Sequence, residues 1–203
     1  VYDVQNIPSW KKVNLRDIIQ SHFNIPVVIN NDANCFALGE ARYGIGKKKK
    51  NFVGLSIGTG IAGGVIINNS LYNGSNSGAG EFGMLPYLDK NFEQYCSGQF
   101  FQNEFQKLGE EVYSDAKSGD KDSLEIYNKF GFHLGNMIIH ILYTYDPKLI
   151  ILGGSVSKGF SFFKTSLNST LESFVYKSSL DKLKIKVSLD PNIALKGAAA
   201  LCY

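Results

Sequence analysis

The sequence lacks what most metal, redox and membrane proteins have. Its 203 residues hold three cysteines, Cys35, Cys96 and Cys202, and only three histidines. The cysteines lie far apart, and there is no CxxC or HxxxH pair. A disulfide framework and a zinc finger are both disfavoured, and sparse cysteines suit a reducing cytoplasm. Apolar runs are short, and none approaches the ~18 residues of a membrane span. The opening "VYDVQNIPSW" lacks the basic flank and apolar centre of a signal peptide. It also lacks an initiator Met, which points to a processed chain or a fragment. There is no internal repeat and no low-complexity linker. Charge is almost balanced at +3, and the one dense run is Lys47 to Lys50. Such a run reads as a phosphate-seeking patch or, more commonly, as a solvated loop between two elements.

What remains is an ordinary globular composition, 44% hydrophobic and 19% charged, long enough for one large domain or two small ones. "NLRDIIQSHF" has helical spacing, with Ile18, Ile19 and Phe23 on one face. "IPVVIN" reads as a short apolar strand, and "ANCFALGEARYG" as a helix ending at Gly44. "NFVGLSI", "AGGVIIN" and "SLYNG" read as three strands. Asn68 and Asn69 supply the turn between the last two, because Asn tolerates positive φ. Helices are expected around 97–108, 122–145 and 159–176. "KLIIL" is a buried strand closed by Gly153 and Gly154, "LKIKVSL" another strand, and "NIALKGAAALCY" a closing helix. This order implies a mixed α/β fold.

Three stretches could carry chemistry. "GTGIAG", Gly58 to Gly63, matches GxGxxG, but strand and turn follow it instead of a helix, so it is no dinucleotide fingerprint. Gly58, Thr59 and Gly60 suit either a tight turn or a backbone cradle for phosphate. Asp32 follows an apolar run and precedes a helix. It fits an N-cap best, with a carboxylate at the mouth of an α/β crevice as the second reading. "GEFGMLPYLDKNFEQYCSG", residues 80–98, holds two glutamates, Glu81 and Glu93, among glycines and aromatics. Its Cys96 reads as a small buried hydrophobe. His22, His133 and His140 have no partner motif, and His140 reads as a packed helix residue.

Taken together, "IPVVINNDANCFALGEARYG", "GLSIGTGIAGGVIINNSLYNG", "GEFG" and "DPKLIILGGSVS" resemble, in this order, the ROK family of sugar kinases and related repressors. The resemblance implies an actin-like ATPase (ribonuclease H-like) fold. It assigns 39–190 to the large domain and 1–38 to the end of the small one, with 191–203 packing back on that remnant. It implies Asp32 as catalytic base and Asn31, Glu81 and Glu93 as sugar ligands. Gly58, Thr59, Gly60, Gly153 and Gly154 would lie around ATP. ATP with Mg²⁺ and a sugar would be the ligands of a cytoplasmic, glucokinase-like homodimer that uses no nucleic acid and no membrane. A sugar-sensing repressor and an idle sugar-binding homologue are the alternatives. In most of the family a histidine and three cysteines between the two glutamates bind zinc. Here Met84 takes the histidine position and "LPYLDKNF" has no cysteine, so the resemblance implies a sugar site without zinc. The family's first phosphate motif, a DxGGT-type turn, is absent from the sequence. The chain therefore reads as the C-terminal two-thirds of a kinase, inactive by itself.

Overall fold

The structure is a computed structural model that describes residue 9 and residues 11–202. Its centre is a five-stranded sheet. Strands β1 (Phe52–Ile57), β2 (Ile61–Ile67) and β3 (Ser70–Tyr72) form an antiparallel meander. Asn68 and Asn69 turn it at φ 51° and 65°, the backbone their side chains tolerate. Two short strands, β4 (Pro86–Tyr87) and β5 (Lys90–Asn91), make a separate hairpin. Strands β6 (Leu149–Gly153) and β7 (Lys184–Val187) join the main sheet parallel to β1, giving the order β3-β2-β1-β6-β7.

Period-2 alternation sorts each strand's residues between two layers. Phe52, Ile66, Leu149 and Ile151 face Phe36 of helix α2 (Asp32–Tyr43) and Ile193 of the last helix (Ile193–Ala200). Val53, Leu55, Ile57, Ile150 and Leu152 enter the larger core. There the 25-residue helix Lys121–Tyr145 packs Phe130, Leu134 and Ile138, and the helix Phe160–Leu171 adds Phe163 and Leu167. The long helix starts where Asp120 accepts from the Ser123 N–H at 2.8 Å.

Several expectations change. The helix expected around 97–108 is present as α4 (Gln99–Phe105), and two helices that were not expected flank it, α3 (Phe92–Cys96) and α5 (Gly109–Ser118). With these placed, α6 is Lys121–Tyr145, α7 is Phe160–Leu171, α8 is Lys177–Leu180 and α9 is Ile193–Ala200. "IPVVIN" forms no strand, because a strand exists only through its ladder and no described residue pairs with it. Val28 is 48% exposed there. Helix α1 (Leu15–Phe23) forms as its spacing requires, yet Ile18 and Phe23 are 57% and 62% exposed. The expected segment boundary at 38 falls inside α2. Ile193 of α9 shares a core with α2 and the sheet. Residues 1–8, 10 and 203 of the two expected small-domain segments lie outside the described residues.

Candidate functional site

The first turn of α2 sets Asn31 and Asp32 side by side, and Asp32 Oδ1 accepts from the Ala33 N–H at 2.8 Å. Asn31, at φ −66° and ψ 147°, is the N-cap. Its Oδ1 accepts from the N–H groups of Ala33 at 2.8 Å and Asn34 at 3.4 Å. The capping role thus falls on Asn31, and Asp32 is the first helical residue, exposed. An anionic side chain here also suits the positive end of the helix dipole. Asn31 Nδ2 donates to Glu81 Oε1 at 3.2 Å. Asn30 braces this turn from behind. Its Oδ1 accepts from the Asn31 N–H (2.8 Å) and from Asn34 Nδ2 (2.9 Å), and its Nδ2 donates to Asn73 Oδ1 (2.9 Å). Asn30, Asn34 and Asn73 were not among the residues expected at the site. The run "NNDAN" was the one local sign of the first two.

Glu81 precedes the 3₁₀ turn Phe82–Met84. Burial pushes its carboxyl up from the ordinary range, and the charges of Asp32 and Glu93 push it the same way. Glu93 sits in α3, whose N-cap Asn91 accepts from the Gln94 N–H at 3.2 Å. Glu93 Oε2 accepts from the Ile61 N–H, and Oε1 from Gln99 Nε2, both at 3.3 Å. Three carboxylates and Asn31 therefore share one neighbourhood, although the sequence spreads them over some sixty positions.

Gly58, Thr59 and Gly60 form the tight turn between β1 and β2, with strand on both sides. The Gly58 N–H donates to the Gly60 carbonyl at 2.9 Å, and the Gly58 carbonyl accepts from the Gly98 N–H at 2.7 Å. That leaves the Thr59 hydroxyl and the Thr59 and Gly60 N–H groups as candidate phosphate donors. Gly60 is needed because a Cβ there would lie 2.5 Å from Glu93 Oε2. On the far side of the turn lies a cleft of about 700 Å³. Gly58, Thr59, Gly98, Gln99, Phe101, Leu108, Tyr113, Ser155, Val156 and Lys158 are among its walls. Gly153 and Gly154 do not line it; they shape the end of β6. Gly154 has φ +83°, and a Cβ there would lie 2.3 Å from the Ile57 carbonyl. The residues that follow, Ser155 to Lys158, reach the cleft. Gln99 both touches Glu93 and lines the cleft, so it joins the two compartments. No motif pointed to Gln99, Tyr113 or Lys158.

Between the two glutamates the sequence holds no histidine and no cysteine, and Asp89 is the one carboxylate. Met84 is exposed and carries a thioether where the family has an imidazole, and residues 85–92 hold no thiol. Among the described residues no three His, Cys, Asp or Glu side chains gather around a point that would hold a metal. Cys96 is fully buried, and burial pushes its thiol well up, as suits a small hydrophobe. His140 is exposed, with Nδ1 2.9 Å from the Asn136 carbonyl. No described helix is long and apolar enough to cross a membrane.

Comparison with known proteins accounts for this arrangement. The ROK family profile matches residues 1–203. The chain is 35% identical over 184 residues to the xylose repressor of Bacillus spizizenii, covering 83% of this chain and 48% of the repressor. It is 28% identical over 193 residues to the β-glucoside kinase of Listeria innocua, covering 86% and 65%. It thus spans about half to two-thirds of the length of these curated relatives. A ROK family protein from Streptococcus pneumoniae in complex with sucrose superimposes with a TM-score of 0.78 at 26% identity, covering 98% of this chain and 72% of that one. The ROK glucokinase of Streptomyces griseus, in complex with glucose and AMPPNP, superimposes with a TM-score of 0.80 at 24% identity over 95% and 73%. The fold is the actin-like ATPase fold, and the chain belongs to the ROK family.

Proposed function

We propose that the chain carries the sugar-binding and nucleotide-binding machinery of a sugar kinase that transfers the γ-phosphate of ATP to a hexose or N-acetylhexosamine hydroxyl. The observation that carries this reading is the division of labour at α2. Asn31 caps the helix, which leaves the Asp32 carboxylate exposed beside Glu81. In the proposed mechanism Asp32 accepts the proton of the attacking sugar hydroxyl, which needs hydrogen-bond reach more than an unusual pKa. Asn31, Glu81 and Glu93 pair with neighbouring hydroxyls, since amides and carboxylates match their donors and acceptors. ATP enters from the cleft, with its phosphates on the Thr59 and Gly60 side of the turn. Mg²⁺ arrives with the nucleotide and supplies charge neutralisation at the phosphates. The protein aligns the attacking and leaving oxygens. Closure over the cleft excludes water. The sequence holds no DxGGT-type turn, so this reading assigns half of the phosphate clamp to another segment and expects the 203-residue chain alone to be inactive.

A sugar-sensing repressor is the second reading, favoured by the 35% identity to a xylose repressor. Both readings keep the sugar site, a cytoplasmic location and a homodimer as expectations, and they differ in turnover. A coupled ADP-release assay on the full-length protein, with a panel of hexoses, N-acetylhexosamines and xylose, separates them. Turnover on the order of 1 s⁻¹ or more, the ordinary kinase range, supports the kinase. Sugar binding without ADP release would leave the repressor and the idle sugar-binding homologue, which differ in whether the full-length protein binds DNA.

A further inference from the structure

Glu93 rides on a helix of only five residues, α3. So short a helix has little stability of its own, and its position must come from what packs against it. The packing is an aromatic cluster that joins α3 and the β4–β5 hairpin to α6. Tyr87 of β4 stacks on Phe92, the first residue of α3, with ring centroids 4.2 Å apart and 14° between planes. The Tyr87 hydroxyl lies 3.1 Å from His133 Nδ1 on α6. Tyr95, on α3, lies against the same imidazole at 4.9 Å, and its hydroxyl donates to Asp89 in the hairpin turn. Phe100 of α4 meets His133 edge-on at 5.5 Å. Phe92 meets His140, two turns further along α6, at 5.1 Å. Every contact in this set fixes α3 or its flanks, and α3 carries the carboxylate that also touches the β1–β2 turn through Ile61.

We propose that Tyr87, Phe92, Tyr95 and His133 are positioning residues that hold Glu93 against the β1–β2 turn, and so set the affinity for the sugar, through stacked rings and a single tyrosine–imidazole hydrogen bond. The consequence for sugar rests on the sugar-binding reading of Glu93. Tyr87 is held as a phenol, its pKa pushed up to about 12 by burial and by Cys96 and Tyr95. Burial pushes His133 down from its ordinary value and the Glu104 charge opposes it, which favours the neutral ring beside the phenol. The titratable and charged groups around the imidazole are Tyr87, Tyr95, Asp89, Lys90, Glu104 and His140. Acid that charges the ring makes Nδ1 a donor, so the phenol must reverse its role to acceptor and the contact is reorganised.

The test uses the full-length protein with Tyr87→Phe, Tyr87→Ala and His133→Phe, with glucose and xylose as probes. Hydrogen exchange is read peptide by peptide, and sugar affinity by calorimetry from pH 5 to 8. Tyr87→Ala is expected to speed exchange across residues 86–98 while β6 stays protected. It should weaken the bound sugar about tenfold, the scale of one lost hydrogen bond, with kcat changed less than about twofold. Tyr87→Phe keeps the stack and should fall between wild type and Tyr87→Ala. Wild-type affinity should change only on the acid side of the ordinary histidine value, because burial holds His133 below it, and His133→Phe should flatten that limb. Exchange at 86–98 and affinity both unchanged in Tyr87→Ala would overturn the proposal. So would exchange rising equally in β6, since that reports general destabilisation. If wild type binds neither sugar, the sugar reading of Glu93 fails separately, and the exchange at residues 92–98 still decides whether the cluster positions α3.

Discussion

The two sides of the β1–β2 turn are built on opposite principles. On one side, Asn31, Asp32, Glu81 and Glu93 are side chains that hold one another or gather their charges closely. On the other side, the cleft is shaped by backbone, Gly58 to Gly60 and the bend at Gly154, and walled largely by Phe101, Leu108, Tyr113 and Val156. The first surface suits a ligand rich in hydroxyls. The second suits a flat, weakly polar group with a phosphate tail reaching the turn. The difference teaches where each side is vulnerable. The polar side is sensitive to single atoms of side chains, and the cleft side to an added Cβ at the Gly154 bend.

Substitutions can break this comparison from either side. The largest effect is expected from Asp32→Asn in the full-length protein. Loss of the general base should lower phosphoryl transfer by roughly 10²–10⁴-fold, with sugar affinity within about threefold because the amide keeps the shape. Stopped-flow or coupled ADP release checks the first, and calorimetry the second. Wild-type turnover in this variant would mean the exposed carboxylate is no base.

Gly60→Ala comes next, because it strikes the wall both sides share. A Cβ 2.5 Å from Glu93 Oε2 must displace that carboxylate. A stability cost of about 1–3 kcal/mol in urea unfolding, with weaker binding of both sugar and nucleotide, is expected. Gly154→Ala should cost about 1–3 kcal/mol for its left-handed backbone and more for its contact with the Ile57 carbonyl, yet weaken nucleotide alone. Equal losses of sugar and nucleotide binding in Gly154→Ala would erase the distinction between the compartments.

The pH dependence gives a smaller effect. His133 is held below its ordinary 6.5, so the unfolded chain binds its proton first as pH falls. Stability from this group is present above pH 6.5 and is lost as pH drops through the window below it. The melting temperature should fall more between pH 6.5 and 5 in wild type than in His133→Phe. Smallest of all is Glu81→Gln. The Glu81 carboxyl is pushed up, so its favourable contribution is present at low pH and fades as pH rises past the ordinary carboxylate range. The neutral amide should thus gain under about 0.5 kcal/mol near pH 8 after solvent screening, and nothing near pH 4.

Much of the fold was legible in the residues themselves. Alternation in "NFVGLSI" and "AGGVIIN" marked β1 and β2 and sorted their side chains between two layers. Asn68 and Asn69 marked the turn from β2 to β3, and the strand after "GTG" ruled out a dinucleotide helix. These signals are local, because periodicity and turn chemistry act within a few residues of one another. The fate of "IPVVIN" was not local. Its apolar run suits a strand, but a ladder needs a partner that only the tertiary structure supplies. The asparagine and the aspartate of "NNDAN" are both good caps, and the bond of Asn31 to Glu81, fifty residues away, goes with the choice of Asn31. Tyr87 met His133 across forty-six positions, and Gln99 bridged two compartments, with no motif to announce either. Local sequence marked most of the elements and the chemical types available, since these depend on short-range sterics and hydrogen bonding. Which side chains share a site was decided by the packing of α2, α3 and α6 around one sheet, because contacts over tens of residues depend on the whole chain's burial.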